Sequence, residues 1–225
     1  MPASRTARER ARAELTEEIK SAARRQLGEA GADGLSLRAV ARELGMVSSA
    51  LYRYFASRDQ LLTALIIDAY DAIGATAEDA DAPDGEPRAR WVAIWHATRA
   101  WALAHPHEYA LIYGSPIPGY QAPQDTVASA ARVAVALLRV VEAATPRAVI
   151  DEPAPPKELV GQLKAVAQQV GSELDLAVLA RFLVAWTQLF GAISFELFGQ
   201  YVGSADPADS FFAYTSEQMA AYVGL

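Results

Sequence analysis

Within "LRAVARELGMVSSALYRYF", Leu37 to Phe55, four polar side chains lie close together: Ser48, Ser49, Tyr52 and Arg53. Two hydroxyls, a phenol and a guanidinium can hydrogen-bond to phosphate oxygens or to the edges of bases. A second set of chemically able groups sits in "HPHEY", where His105, His107 and Glu108 follow His96. Two imidazoles and a carboxylate suggest a metal, but no third and fourth ligand stand at motif spacing. Pro106 marks a helix start there, where exposed or capping histidines are the ordinary outcome. No GxSxG, Walker loop, HExxH or GxGxxG occurs, and the chain has no cysteine. Neither catalytic residues nor a metal or cofactor is expected.

The polar quartet needs elements to hold it. Gly45 stands between two apolar stripes of helical spacing, although glycine costs about 1 kcal/mol against alanine inside a helix. Ser36 can cap a helix whose buried face is Leu37, Val40, Ala41 and Leu44, and Gly45 then ends it in the left-handed conformation. A following helix turns Val47, Ala50, Leu51 and Tyr54 inward. Before these, Leu15, Ile19, Ala22, Ala23 and Leu27 predict a helix from Thr6 to Ala30, stopped by "GADG". After them "SRDQ", Ser57 to Gln60, is a capping box that opens a long helix. A small residue at Ala41, the turn at Gly45 and the apolar Leu51 frame a helix-turn-helix unit. Its second helix is free to enter a DNA major groove about 12 Å wide. An ordinary pair of antiparallel helices remains the alternative on the turn alone.

Net charge over the 225 residues is −7, which argues against nucleic acid until its distribution is read. Met1 to Arg58 carries 11 Lys/Arg against 7 Asp/Glu, and the remainder carries 9 against 20. A small basic module attached to an acidic body fits that asymmetry. Beyond Ala82 prolines punctuate helical stretches: Arg88–Ala104, Pro106–Tyr113, Gln124–Ala144, Pro156–Val170, Glu173–Tyr201 and Pro207–Val223. No alternating pattern of strand length survives, so the chain reads as all-α. "DEPAPP", Asp151 to Pro156, reads as a stiff, exposed connection. The N-terminal "MPASRTARERARAEL" is charged where a signal peptide would be apolar. Leu176 to Phe198 is interrupted by Arg181, Gln188 and Glu196, leaving a run too short for a bilayer of about 30 Å. No membrane partner and a cytoplasmic location are expected.

The order of these features, a long first helix, then "GLSLRAVARELGMVSSALYRYFASRDQLLTALI", then an acidic helical body, resembles the tetracycline-repressor (TetR) family of bacterial regulators. The likeness is specific over Leu15 to Asp68. It implies a helix-turn-helix DNA-binding domain over 1–58 and an effector-binding, dimerising domain over 59–225. By position it implies Ser48, Ser49, Ala50 and Tyr54 as base or sugar contacts, with Arg53 beside them. Tyr52 is similar to the family's phosphate-binding tyrosine, and Ser36 and Arg38 would touch backbone or a base edge. Arg58 takes the place of the family's lysine and could grip phosphate by two parallel hydrogen bonds. "HPHEYALIYGSPIPGY" and "WTQLFGAISFELFG" resemble a subgroup named for a Trp-His-Gly signature, with Phe190 where its histidine would stand.

All four tryptophans lie in the body. Trp91, Trp95 and Arg99 recur at i, i+4 and i+8, with His96 beside them. Together with Tyr109, Tyr113, Trp186 and Phe190 they are candidates to line a pocket for a small apolar or aromatic effector, although such stripes also build plain cores. His96, Tyr109, Tyr113, Gln188 and Glu196 would need partners there if buried. A helix over Leu176–Phe198 is apolar on nearly every side, which predicts one face in the core and one in a partner. Phe211, Phe212, Met219 and Tyr222 of the last helix would join it in a two-fold dimer. The resulting expectation is a repressor released from a palindromic operator by its effector. An all-helical binding protein or enzyme with an idle DNA head is the alternative.

Overall fold

A computed structural model describes residues 6–144, 146 and 155–225. The secondary structure of the described residues is α-helical, without strands: α1 (Ala7–Ala30), α2 (Leu37–Glu43), α3 (Ser48–Leu51), α4 (Arg58–Asp79), α5 (Pro87–Ala104), α6 (Pro106–Tyr113), α7 (Thr126–Ala130), α8 (Arg132–Ala143), α9 (Lys157–Val170), α10 (Leu176–Leu197) and α11 (Asp209–Val223). The single stretch read over Gln124–Ala144 is two helices meeting at Ala131, whose backbone stays near helical values at φ −80° and ψ −13°. Residues 151–154 of the proline-rich connection lie outside the described residues. Packing divides the chain into two compact units, Met1–Tyr70 with His107–Val127, and Asp71–Pro106 with Ala128–Leu225. The first unit therefore holds more than the segment 1–58: it takes in the start of α4 and nearly all of α6.

In the first unit α1 opens with a capping box, Thr6 accepting from the Glu9 N–H while the Glu9 carboxylate accepts from the Thr6 N–H at 2.8 Å. The stripe Ile19, Ala22, Ala23 and Leu27 is buried, with Leu15 at its margin. These side chains meet Leu37, Val40 and Ala41 of α2, Leu51 of α3, and Leu61, Leu62, Leu65 and Ile66 of α4. Ser57 precedes α4, and its hydroxyl accepts from the Gln60 N–H at 3.1 Å. The Gln60 side chain reaches back to the Ala56 N–H at 2.9 Å, one residue earlier than a reciprocal box requires. Across this core Lys20 bridges to Asp68 at 2.9 Å and Arg24 pairs with the same carboxylate.

In the second unit α5 packs against α8, α10 and α11, and α9 against α10. Trp91, Ile94 and Trp95 of α5, Leu137 and Val140 of α8, Leu179, Leu189 and Ile193 of α10, and Phe212 and Val223 of α11 are all buried. α10 is long and apolar enough to cross a membrane, despite Arg181 and Glu196. Length and composition alone do not separate a core helix from a membrane span. The packing does so here, because Val178, Leu179, Phe182, Ala185, Leu189, Phe190, Ala192 and Ile193 are buried within the unit. The buried Arg181 meets a protein partner as well, its Nη1 donating to the Tyr222 carbonyl at 3.1 Å.

Candidate nucleic-acid interface

The turn between α2 and α3 closes through backbone bonds. The Gly45 N–H donates to the Arg42 carbonyl at 3.2 Å, and the Met46 N–H returns to the Ala41 carbonyl at 2.8 Å. Gly45 sits at φ +65°, in the left-handed region where a side chain is strained. Ala41 has no exposed surface, consistent with a close crossing there. Leu51 is 1 % exposed and anchors α3 in the core. α3 itself is only four residues long and continues as a hydrogen-bonded turn, the Phe55 N–H donating to the Leu51 carbonyl at 3.1 Å.

On the outside of this frame Arg38, Ser49, Tyr52 and Arg53 are exposed, while Ser36, Ser48, Ala50, Tyr54 and Arg58 are half-buried. Two expectations need correction. Ser36 occupies the N-cap of α2, but its side chain makes no capping bond. Its N–H donates instead to the Gln26 side chain at 3.3 Å. Val47 does not face inward: it is 71 % exposed, at the N-cap of α3.

One arginine holds the reading segment and a second braces the loop before α2. Arg12 lies 5.0 Å over the Tyr54 ring and donates to the Arg53 carbonyl at 3.1 Å. That tie turns Tyr54 toward α1. Nothing in the sequence singles out Arg12, one of several arginines in the charged N-terminal stretch "RTARERAR". Arg58 directs Nη2 to the Ala32 carbonyl at 2.7 Å and Nε to the Leu35 carbonyl at 3.2 Å. Its fork thus joins the start of α4 to the α1–α2 loop.

The candidate effector residues fall into three groups. Trp91 and Trp95 lie 5.8 Å apart with their rings tilted by 33° and are fully buried, Trp91 edge-on to Phe182 and Trp95 against Phe212. His96 meets the Phe212 ring edge-on at 5.5 Å, and burial together with the nearby Arg99 charge pushes its pKa down. Arg99 forms a two-pronged pair with Glu196 at 2.6 and 2.7 Å, and Nη1 reaches Asp209 at 3.0 Å. The bond to Glu196 holds the guanidinium's pKa above its usual value. Glu196 therefore has its partner, and Gln188 is exposed, so neither requires a ligand. Trp186 and Phe190 form an edge-to-face pair at 5.8 Å. Tyr109 and Tyr113 belong to the first unit, Tyr113 lying edge-on to Tyr70 at 5.8 Å. Burial raises the Tyr113 phenol's pKa well beyond the ordinary range. Among the described residues no three His, Asp or Glu side chains converge as a metal site.

Comparison with known proteins places this geometry. The family model for "Bacterial regulatory proteins, tetR family" matches residues 19–65, and one for "Tetracyclin repressor-like, C-terminal domain" matches residues 91–219. The chain is 41% identical over 214 residues to the HTH-type transcriptional regulator Rv1816 of Mycobacterium tuberculosis, covering 91% of both proteins. It belongs to the TetR family. The solved structure of the regulatory protein SCO4313 superposes with a TM-score of 0.80 at 34% identity, covering 95% of this chain and 98% of that one. A TetR-family transcription regulator from Shewanella sp. PV-4 shares the fold at TM-score 0.58 and 17% identity, over 93% and 95% of the two chains. The protein is thus a DNA-binding transcriptional regulator and not an enzyme.

In this TetR-family head, Arg58 does structural work that phosphate binding alone would not require. Replacing Arg58 by Ala removes the donor to the Leu35 carbonyl and one of two donors to the Ala32 carbonyl, which keeps the Leu35 N–H at 3.3 Å, and is expected to lower stability by about 1 kcal/mol. Urea unfolding of the DNA-free protein reads this directly. An unchanged midpoint would mean that the two carbonyl bonds contribute nothing.

Proposed function

We propose that the protein is a repressor that acts as a two-fold dimer on a palindromic operator and is released by a small apolar or aromatic effector. Its DNA partner places it in the cytoplasm. The observation that carries the DNA part is the outward group Arg38, Ser49, Tyr52 and Arg53, set around a turn that only a left-handed residue closes without strain. In this reading Tyr52, Arg38 and Ser36 hold phosphate or backbone, while Ser48, Ser49, Ala50 and Arg53 face the bases. Tyr54 supports the segment from behind with Arg12, and any free Arg58 donor adds phosphate attraction.

Dimerisation draws support from α10 and α11. Val184, Phe195 and Phe198 of α10 or its cap are 50 %, 53 % and 47 % exposed, at spacings of 11 and 3 residues along one side. Gly191, with open space around it, lies between them on the same side. α11 adds Phe211, Tyr214 and Tyr222, while Phe212, expected at this surface, is buried in the core. Such a stripe on two helices suits a four-helix bundle with a second copy.

The effector reading rests on Trp91 and Trp95, whose indole N–H groups are buried without an acceptor. A buried donor left unpaired costs about 1–3 kcal/mol, which an acceptor on a bound molecule would relieve. A ligand that prefers the released form by about 2.7 kcal/mol lowers operator affinity roughly a hundredfold at saturation.

Four outcomes test the proposal. Genomic fragments retained by the purified protein should share one palindrome. Tyr52→Phe should weaken binding to it by about fivefold per half-site, and equally to unrelated DNA. Binding that remains as tight as wild type would sink the docking assignment. In sedimentation at micromolar concentration the wild type should be a dimer and Phe195→Glu a monomer; a wild-type monomer refutes the assembly. Trp95→Phe keeps the ring packing but loses the N–H, so it should blunt the effector response while operator binding persists. A full response from that variant would place the effector site elsewhere.

A further inference from the structure

Val47 departs from what folding alone favours at its position. It occupies the N-cap of α3, where Ser, Thr, Asp or Asn would satisfy an orphan N–H, and it supplies no capping bond. Burial does not explain it either, because 71 % of the side chain is exposed, against 1 % for Leu51 four residues on. Its φ and ψ of −70° and 137° are ordinary extended values, so no backbone strain calls for a branched residue. Around it the reading segment offers short or polar groups: Ser48 and Ser49 follow, then Tyr52 and Arg53 on the outer side. Serine hydroxyls hydrogen-bond to any base and discriminate little. Among the residues of this segment, Val47 is the apolar side chain presented most fully to solvent.

We infer that Val47 is a specificity-determining residue whose isopropyl group packs on the C5-methyl of a thymine in the major groove. This rests on the DNA-reading role proposed for α3. The thymine methyl is the apolar feature of that groove, and contact with it separates a T·A pair from the others. Burying one methyl against Val47 is worth roughly a fourfold change in affinity per half-site. An exposed valine in place of a cap thus exchanges local stability for base discrimination.

The test removes the methyl from the DNA and the isopropyl from the protein in turn. Operator duplexes recovered by selection are made with each thymine replaced by deoxyuridine, which deletes only the methyl group. For the wild type, one symmetry-related pair of positions should lose about fourfold per half-site. For Val47→Ala the unmodified operator should already be weaker, and deoxyuridine at that pair should cost nothing further. Val47→Ser should raise the melting temperature by restoring the cap, while affinity for unrelated DNA stays at the wild-type level. Deoxyuridine profiles that are the same for wild type and Val47→Ala, or flat for both, overturn the inference and leave the DNA-reading role standing. Failure of the wild type to select any sequence overturns both.

Discussion

A helix of four residues has no stability of its own, and the whole first unit is organised around that fact. Helix nucleation fixes several residues for a single hydrogen bond, so short helices persist only when tertiary contacts hold them. α3 is held by Leu51 in the core, by the backbone bonds on either side of Gly45, and by Arg12 gripping the turn that follows. α1, α2 and α4 supply the apolar surface against which Leu51 and Phe55 close. Arg58 adds a fork between α4 and the loop that leads into α2. The outward polar groups are consequently carried by a segment whose position is set entirely from behind.

That arrangement explains which parts of the head were legible in the sequence. Apolar spacing and glycine position are strong signals, because a misplaced leucine or a strained turn costs several times the thermal energy, and α1, α2 and the α2–α3 turn emerge from them almost residue by residue. Side-chain destinations of arginine carry no such signal. A guanidinium has five donors and a long flexible stem, so Arg12 and Arg58 read equally as solvated charge, phosphate ligand or backbone clamp. Val47 misled for a different reason. A valine at helical spacing from Leu51 reads as core by periodicity, yet α3 begins after it and the helical phase does not extend back to that position.

The second unit shows the same division. Its apolar helices were visible, but which polar groups satisfy one another across 97 or 110 residues was not. Glu196, a polar group that would need a partner if buried, has one in Arg99. Trp91 and Trp95 emerged with the opposite character, since two apolar-seeming rings keep unsatisfied donors in the core. Polar need, the usual guide to a binding site, therefore attaches to residues that hydropathy alone treats as filler.

Arg99 shows what a buried ion pair contributes when net stability is small. Replacing such a pair by apolar residues often leaves a protein equally stable, because desolvation offsets the attraction. Arg99 is 9 % exposed and gives two prongs to Glu196 on α10 and a third contact to Asp209 on α11, while lying 5.1 Å over the Phe212 ring. Leucine in its place could pack as well but would accept many rotations of the neighbouring helices. A planar fork with fixed donor directions accepts few. The rotation of α10 and α11 about their own axes decides which side chains face outward, and those are Phe195 and Tyr214 rather than Phe190 and Phe212. The pair thus acts on the unit's surface by fixing helix phase in its interior.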